Sequence, residues 1–199
     1  MARTQALDYD LQRSAILDCA GDVFAASSYA ASTMAQIAAA SGASKARLYH
    51  YYESKESILF DLLDRHTQRL LGIAHAVRER ARREKLAPAD ELRALIGNFL
   101  DAYQNSRTRH IALLNDVKFL APDQQRQIRS RERAVVDAFL AALSRAFPKR
   151  VKPRNARALT MMLMGAMNWT FTWLKPDGAL SYAEYADEVT RTLFEGLAA

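Results

Sequence analysis

The stretch Thr33–Lys55, TMAQIAAASGASKARLYHYYESK, decides the fold. It reads as two short helices around a turn at Ser41-Gly42-Ala43. In the first, Met34, Ile37 and Ala38 fall at i, i+3 and i+4, the spacing of one helical face, and Thr33 offers an N-cap hydroxyl to the orphan backbone N–H groups. Gly42 suits the left-handed backbone on which helices commonly end. Ser44 caps the second helix, which buries Leu48 and Tyr52 and leaves Lys45, Arg47, Tyr49, His50 and Tyr51 for its other faces. A short helix carrying cations, hydroxyls and an imidazole, braced by another helix, fits the recognition half of a helix-turn-helix. By itself, a Ser-Gly turn between Ala-rich helices is common in helical proteins, so the flanking sequence has to be weighed with it.

Upstream, Ala15/Ile16, Cys19/Ala20 and Val23/Phe24 repeat every four residues and predict a supporting helix over Tyr9–Ser27. Cys19 shares a face with Ala15 and Val23 and reads as a buried core thiol. Downstream, Ser54 caps a long helix to about Arg80, with Ile58, Leu59, Leu62, Leu63, Leu70, Ile73 and Val77 on its apolar side. The charged run Arg78–Lys85, RERARREK, reads as its solvated end. With Phe24, Tyr29, Thr33, Ile37-Ala38, Gly42, Ser44, Leu48-Tyr49-His50, Tyr52 and Ser54-Lys55-Glu56 in this order, the segment from about Leu11 to Leu63 resembles the N-terminal domain of the Tet repressor family. Three positions depart from that pattern: Ser28 stands where the family usually has Gly, Tyr52 where it has Phe, and Arg47 where it has a small residue. The resemblance implies an all-α protein, with a three-helix DNA-binding domain at 9–69 and a helical ligand-binding and dimerisation domain at 70–199. It also implies contacts to double-stranded operator DNA. Thr33, Ser44, Tyr49 and Lys55 are expected on phosphates, and Lys45, Arg47 and His50 at base edges.

The remaining chain supports the all-α reading. Proline (5) and glycine (7) are scarce among 199 residues and no strand-like alternation runs for any length. Pro88 opens a helix with Leu92, Leu95, Ile96, Phe99, Leu100 and Tyr103 on its core face. A shorter helix over Arg107–Leu120 precedes Pro122, which opens another to about Phe147. The basic linker PKRVKPRN (148–155) leads into an uncharged helix to Leu174. After a turn at Lys175-Pro176-Asp177-Gly178, the last helix runs over Ser181–Leu197. The uncharged stretch Ala158–Leu174 is at the lower limit of a membrane span, and its threonines, Gly165 and Asn168 favour a helix buried in protein. It is apolar nearly all round and must be covered on all sides. Family resemblance implies that a second subunit covers part of it, through a homodimer formed by the two C-terminal helices.

Other chemistry finds little support. His50, His66, His75 and His110 include no i, i+4 pair of a helical zinc site, and a lone cysteine makes no metal pair. No phosphate loop and no nucleophile elbow occur. No catalytic residues, metal or cofactor are therefore expected, and His66 and His110 read as satisfied core or surface histidines. Residues 2–10 lack the apolar core of a signal peptide, so the expected location is the cytoplasm. The aromatic and sulfur-rich residues Phe99, Tyr103, Phe119, Phe139, Met162, Trp169 and Trp173 are core by default. The resemblance implies a small-molecule pocket to which they would contribute.

Charge sharpens the effector expectation. The chain carries +6, yet residues 1–60 hold five cations against six acids, so the excess of +7 lies in the remainder (23 cations against 16 acids). Part of it is Arg126, Arg129 and Arg133, about one turn apart along one predicted helix. Guanidinium groups bind phosphates through their planar fork. The segment Gly165–Thr170 with Trp173 is similar to relatives that sense acyl-CoA thioesters. The expected effector has an anionic head and an apolar tail. The alternatives are a drug-efflux regulator with a hydrophobic ligand and, from another class, a helical acyl-CoA-binding enzyme or carrier.

Overall fold

The structure, a computed structural model, describes residues 2–175 and 177–198, with side chains described over 9–175 and 177–197. Pro176 of the expected turn lies outside the described residues. Among these the chain is helical and contains no strand. In order come α1 (Ala2–Ser27), α2 (Met34–Ala40), α3 (Lys45–Tyr51), α4 (Lys55–Glu84), α5 (Pro88–Asn105) and α6 (Arg107–Asp116). A 3₁₀ turn (Val117–Phe119) follows, then α7 (Pro122–Ala146), α8 (Pro153–Asn168), α9 (Thr170–Trp173) and α10 (Tyr182–Ala198).

Two compact units result. The first joins residues 1–66 to 108–128, and the second joins 67–107 to 129–199. This differs from the single cut after residue 69 expected from sequence. Residues 108–128 are far along the chain from α1 but pack with it and with the start of α4.

In the first unit, Ile16, Leu17, Ala20 and Phe24 of α1 bury against a core that includes Ile37, Leu48, Leu59, Leu62 and Leu113. A Cβ on Gly21 would lie 3.2 Å from Thr108 Oγ1 and 3.4 Å from a Leu62 methyl. Glycine thus lets α1 approach α4 and α6 closely. Arg109 pairs with Asp18, and Gln127 donates to Asp64 at 2.7 Å. His66 and His110 are both buried, with ring nitrogens 3.3 Å apart; this places them in the core rather than on the surface. Cys19 is half-buried rather than fully buried. Burial, followed by Asp22 and Asp18, raises its pKa.

In the second unit, Phe99 and Phe139 meet edge to face at 4.8 Å, with Leu92, Ile96, Leu143, Met167 and Tyr182 buried in the same unit. α10 packs on α5 and α8. The expected continuous helix to Leu174 is interrupted at Trp169. The Thr170 hydroxyl donates to Met167 O and the Thr172 hydroxyl to Trp169 O. Hydroxyls of this kind compete with the helical ladder, and the chain restarts as the short α9. α4 runs past the expected end at Arg80 to Glu84, where Lys85 takes a left-handed conformation (φ 54°) and Leu86 N–H reaches back to Ala81 O at 3.0 Å. No described helix is long and apolar enough to cross a membrane.

Candidate nucleic-acid interface

The two short helices form where the sequence places them because each has its own stop and start. Thr33 Oγ1 accepts from Gln36 N at 3.2 Å, and Gln36 Oε1 accepts from Thr33 N at 2.8 Å. This reciprocal capping box satisfies two donors at once. α2 ends on Gly42 at φ +64°, with Ala43 N–H bonded back to Ala38 O at 3.0 Å, the closure that a left-handed residue permits. Ser44 Oγ then accepts from Arg47 N at 3.1 Å and starts α3. Gln36 is an addition from the structure, although the T-x-x-Q spacing is there to read in the sequence.

α3 buries Leu48 completely and exposes Lys45, Arg47, Tyr49 and His50. Arg47 and His50 are three apart, hence neighbours on one helical face. Tyr51 is half-buried. Its ring lies 4.8 Å from that of Tyr9 on α1, with His50 edge-on to it at 5.5 Å. That aromatic brace from α1 has no signal in the sequence, because nothing local pairs residues so far apart.

The end of α3 is tied to α4 by a polar network. Tyr52 OH donates to Asp61 Oδ2, Arg13 Nη2 pairs with the same oxygen at 2.8 Å, and Arg65 Nε pairs with Asp61 Oδ1 at 3.0 Å. Burial, then the bond to Asp61, pushes the Tyr52 phenol well above its ordinary pKa. The Tyr52 departure from the family pattern thus has a partner waiting for its hydroxyl.

Lys55 has partners within the chain. Its ammonium donates to Tyr29 O and Ser32 O, each at 2.7 Å, and lies 4.4 Å from the centre of the Tyr29 ring. Two of its three N–H groups are thereby committed to the loop before α2, which Lys55 clamps. Thr33 and Ser44 are exposed, and both hydroxyl oxygens act as caps.

The expected ligand residues are distributed over both units. Phe99, Tyr103 and Phe139 are packed core, with Tyr103 OH donating to Asn168 Oδ1 at 2.9 Å. Phe119 belongs to the first unit and stacks on Tyr29 at 4.9 Å. Met162, Trp169 and Trp173 are exposed. Arg126, Arg129 and Arg133 lie along α7 and are all exposed. The last two favour the ionised form of Glu132, whose pKa burial raises. Met162 instead lines an open groove of about 450 Å³ between α8 and α10, with Leu159, Ala166, Val189 and Leu193.

A capped two-helix unit that presents a cationic short helix, followed by an all-helical second unit, defines a helix-turn-helix regulator. Residues 16–62 match the sequence profile of bacterial regulatory proteins of the tetR family, and residues 85–197 match a tetracyclin repressor-like C-terminal domain. The chain belongs to the TetR family of transcriptional regulators. A TetR-family regulator from Bordetella parapertussis 12822 is 30% identical over 92% of this chain and 94% of its own, with a TM-score of 0.85. AibR, solved in complex with isovaleryl coenzyme A and operator DNA, is 26% identical over 92% of this chain and 98% of its own, with a TM-score of 0.79. PfmR from Thermus thermophilus, at 24% identity over 92% of this chain and 98% of its own, shares the fold with a TM-score of 0.80. A search of curated proteins gave no match.

Proposed function

We propose that the chain is a homodimeric repressor that leaves its operator when a small molecule binds the C-terminal domain. The observation that carries this reading is α3, capped at Ser44 and anchored by Leu48, with Lys45, Arg47 and His50 exposed together. In this reading those three side chains meet base edges. Ser44, Tyr49 and the N-termini of α2 and α3 meet phosphates. Thr33 acts there as the cap of α2, and Lys55 acts through the loop it clamps. The site of action is the cytoplasm. Titration of labelled DNA from upstream of the gene tests the reading. Tight binding that weakens as salt rises is expected, and equal, weak affinity for every sequence would return the chain to the enzyme or carrier class.

The apolar α8/α10 groove supports a dimer through the two C-terminal helices, since a two-fold interface uses the same patch on both subunits. For the effector, an acyl- or aryl-CoA thioester remains the favoured class. The arginines of α7 and the isovaleryl coenzyme A bound by AibR support it. The effector must bind the DNA-free conformation more tightly than the DNA-bound one. Calorimetry with thioesters and their free acids, followed by DNA release, tests this. If an uncharged or cationic drug-like compound releases DNA and no thioester does, the chain is an efflux-type regulator instead.

A further inference from the structure

α3 is a short helix, and two buried side chains hold it: Leu48 within it and Tyr52 at its C-cap. These are four residues apart and so lie on one line down the helix. Two anchors on one line fix where α3 lies but leave it free to roll about that line. A third contact, off the line, sets which way the exposed side chains point. Tyr51 supplies it. It follows Arg47 by four residues and Leu48 by three, at the border between the exposed and buried faces, and it is half-buried. Its ring lies on that of Tyr9, with centroids 4.8 Å apart and planes tilted by 33°, a separation at which aromatic pairs attract. α1 starts at Ala2, so Tyr9 stands about two turns inside formed helix.

The same Tyr51 ring meets His50 edge to face, at 5.5 Å and 79°. Consecutive residues of a helix point about 100° apart and do not ordinarily face each other. The contact therefore depends on the rotamer of Tyr51, and that rotamer is the one that carries its ring to Tyr9. His50 is exposed. A freely rotating imidazole loses rotamer freedom when it meets DNA, whereas one already held in place loses less.

We propose that Tyr9 is a positioning residue for sequence reading: through the Tyr51 ring it holds the His50 imidazole in the orientation that His50 uses at a base edge. Tyr9 itself touches no base in this scheme. The inference rests on the reading of α3 as the DNA-reading helix, and it makes one base-pair preference depend on a side chain of α1.

The test uses the full-length protein and selection from randomised duplex DNA, followed by affinity measurements on the selected sequence and its single-base variants. His50→Ala is expected to erase preference at one position per half-site, which marks the base that His50 reads. Tyr9→Ala is expected to flatten preference at that same position by roughly three- to tenfold, the range an aromatic pair supports, and to leave the other positions unchanged. Tyr9→Phe keeps the ring and is expected to read like the wild type. In the His50→Ala background, Tyr9→Ala is expected to change nothing further at that position. Without DNA, the His50 ring-proton resonances are expected to move towards their random-coil positions in Tyr9→Ala and to stay in place in Tyr9→Phe. Tyr9 is 38% exposed, so its truncation leaves the buried core in place; should Tyr9→Ala fail to fold, Tyr9→Gln takes its role. A Tyr9→Ala protein that loses affinity equally for every sequence, or that keeps the wild-type preference at the His50 position, would overturn the inference while operator binding by the wild type stands. A wild-type protein with no sequence preference, or a His50→Ala variant that loses none, would overturn the reading of α3 beneath it and the inference with it.

Discussion

Tyr52 OH donates to Asp61 Oδ2 at 2.5 Å and so links the residue that ends α3 to the second turn of α4. Tyr52→Phe keeps the ring and removes this bond, leaving Asp61 with Arg13 and Arg65. A hydrogen bond to a charged group contributes about 1.5–3 kcal/mol, and the remaining arginines offset part of it. The expected loss is about 1–2 kcal/mol in urea unfolding, with the larger share seen as faster hydrogen exchange at the end of α3.

Ser28 holds a left-handed backbone, φ 65°, at the position where related proteins usually carry Gly. A non-glycine residue there costs about 1–2 kcal/mol, part of which glycine loses again through its freer unfolded chain. Ser28→Gly is therefore expected to stabilise the protein by about 0.5–1 kcal/mol, read as a raised Tm. A lowered Tm would mean that the bond from Ala31 N to Ser28 Oγ, 3.4 Å long, outweighs the strain.

Arg47 is free to choose between base and phosphate. As a bidentate partner of guanine it contributes about 1–3 kcal/mol of discrimination. Arg47→Ala is expected to relax preference at one position per half-site in a binding assay over randomised operators. A uniform loss across all sequences, with the salt slope lower by about one, would assign Arg47 to phosphate.

Leu193 lies half-buried in the α8/α10 groove. Leu193→Arg places a charge in a surface that the dimer must desolvate. Monomers in sedimentation velocity and a collapse of operator binding are expected. A wild-type protein that sediments as a monomer at micromolar concentration would refute the dimer itself.

Glu132 is the pH probe. Burial raises its pKa from the ordinary value of 4.5, with Arg129 and Arg133 opposing. A carboxyl raised in the folded state favours folding in its protonated form, so its contribution declines as pH climbs from that ordinary value through the raised one. Glu132→Gln is expected to raise Tm at pH 7 and to bring no gain at pH 4. Equal effects at both pH values would mean that the charge is well solvated.

The elements that can be read from sequence are those with local signals. Thr33, Gly42, Ser44, Pro88 and Pro122 each act on the next turn of chain, and the helices they delimit appear within a few residues of expectation. What is not legible depends on partners far away in the chain. Lys55 looks like any exposed cation until the carbonyls of Tyr29 and Ser32 are brought to it. The contact of Phe119 with Tyr29 joins residues ninety apart in the chain. Thr170 and Thr172 do act locally, but only a chosen rotamer turns their hydroxyls onto the helix backbone. The exposed side chains of α3 are legible, because a seven-residue helix with one fully buried leucine leaves few faces to choose from.

The return of residues 108–128 to the N-terminal unit bears on how this family can be recombined. The reading head looks like a cassette of some sixty residues that evolution, or a protein engineer, could graft onto any effector domain. Here Asp18 is paired by Arg109, Asp64 by Gln127, and Tyr29 is covered by Phe119. A chimera cut within α4 would carry a head whose flank was shaped for another chain's sixth helix. Successful exchange therefore requires two crossovers, with the donor's 108–128 segment transplanted together with its 1–66 segment.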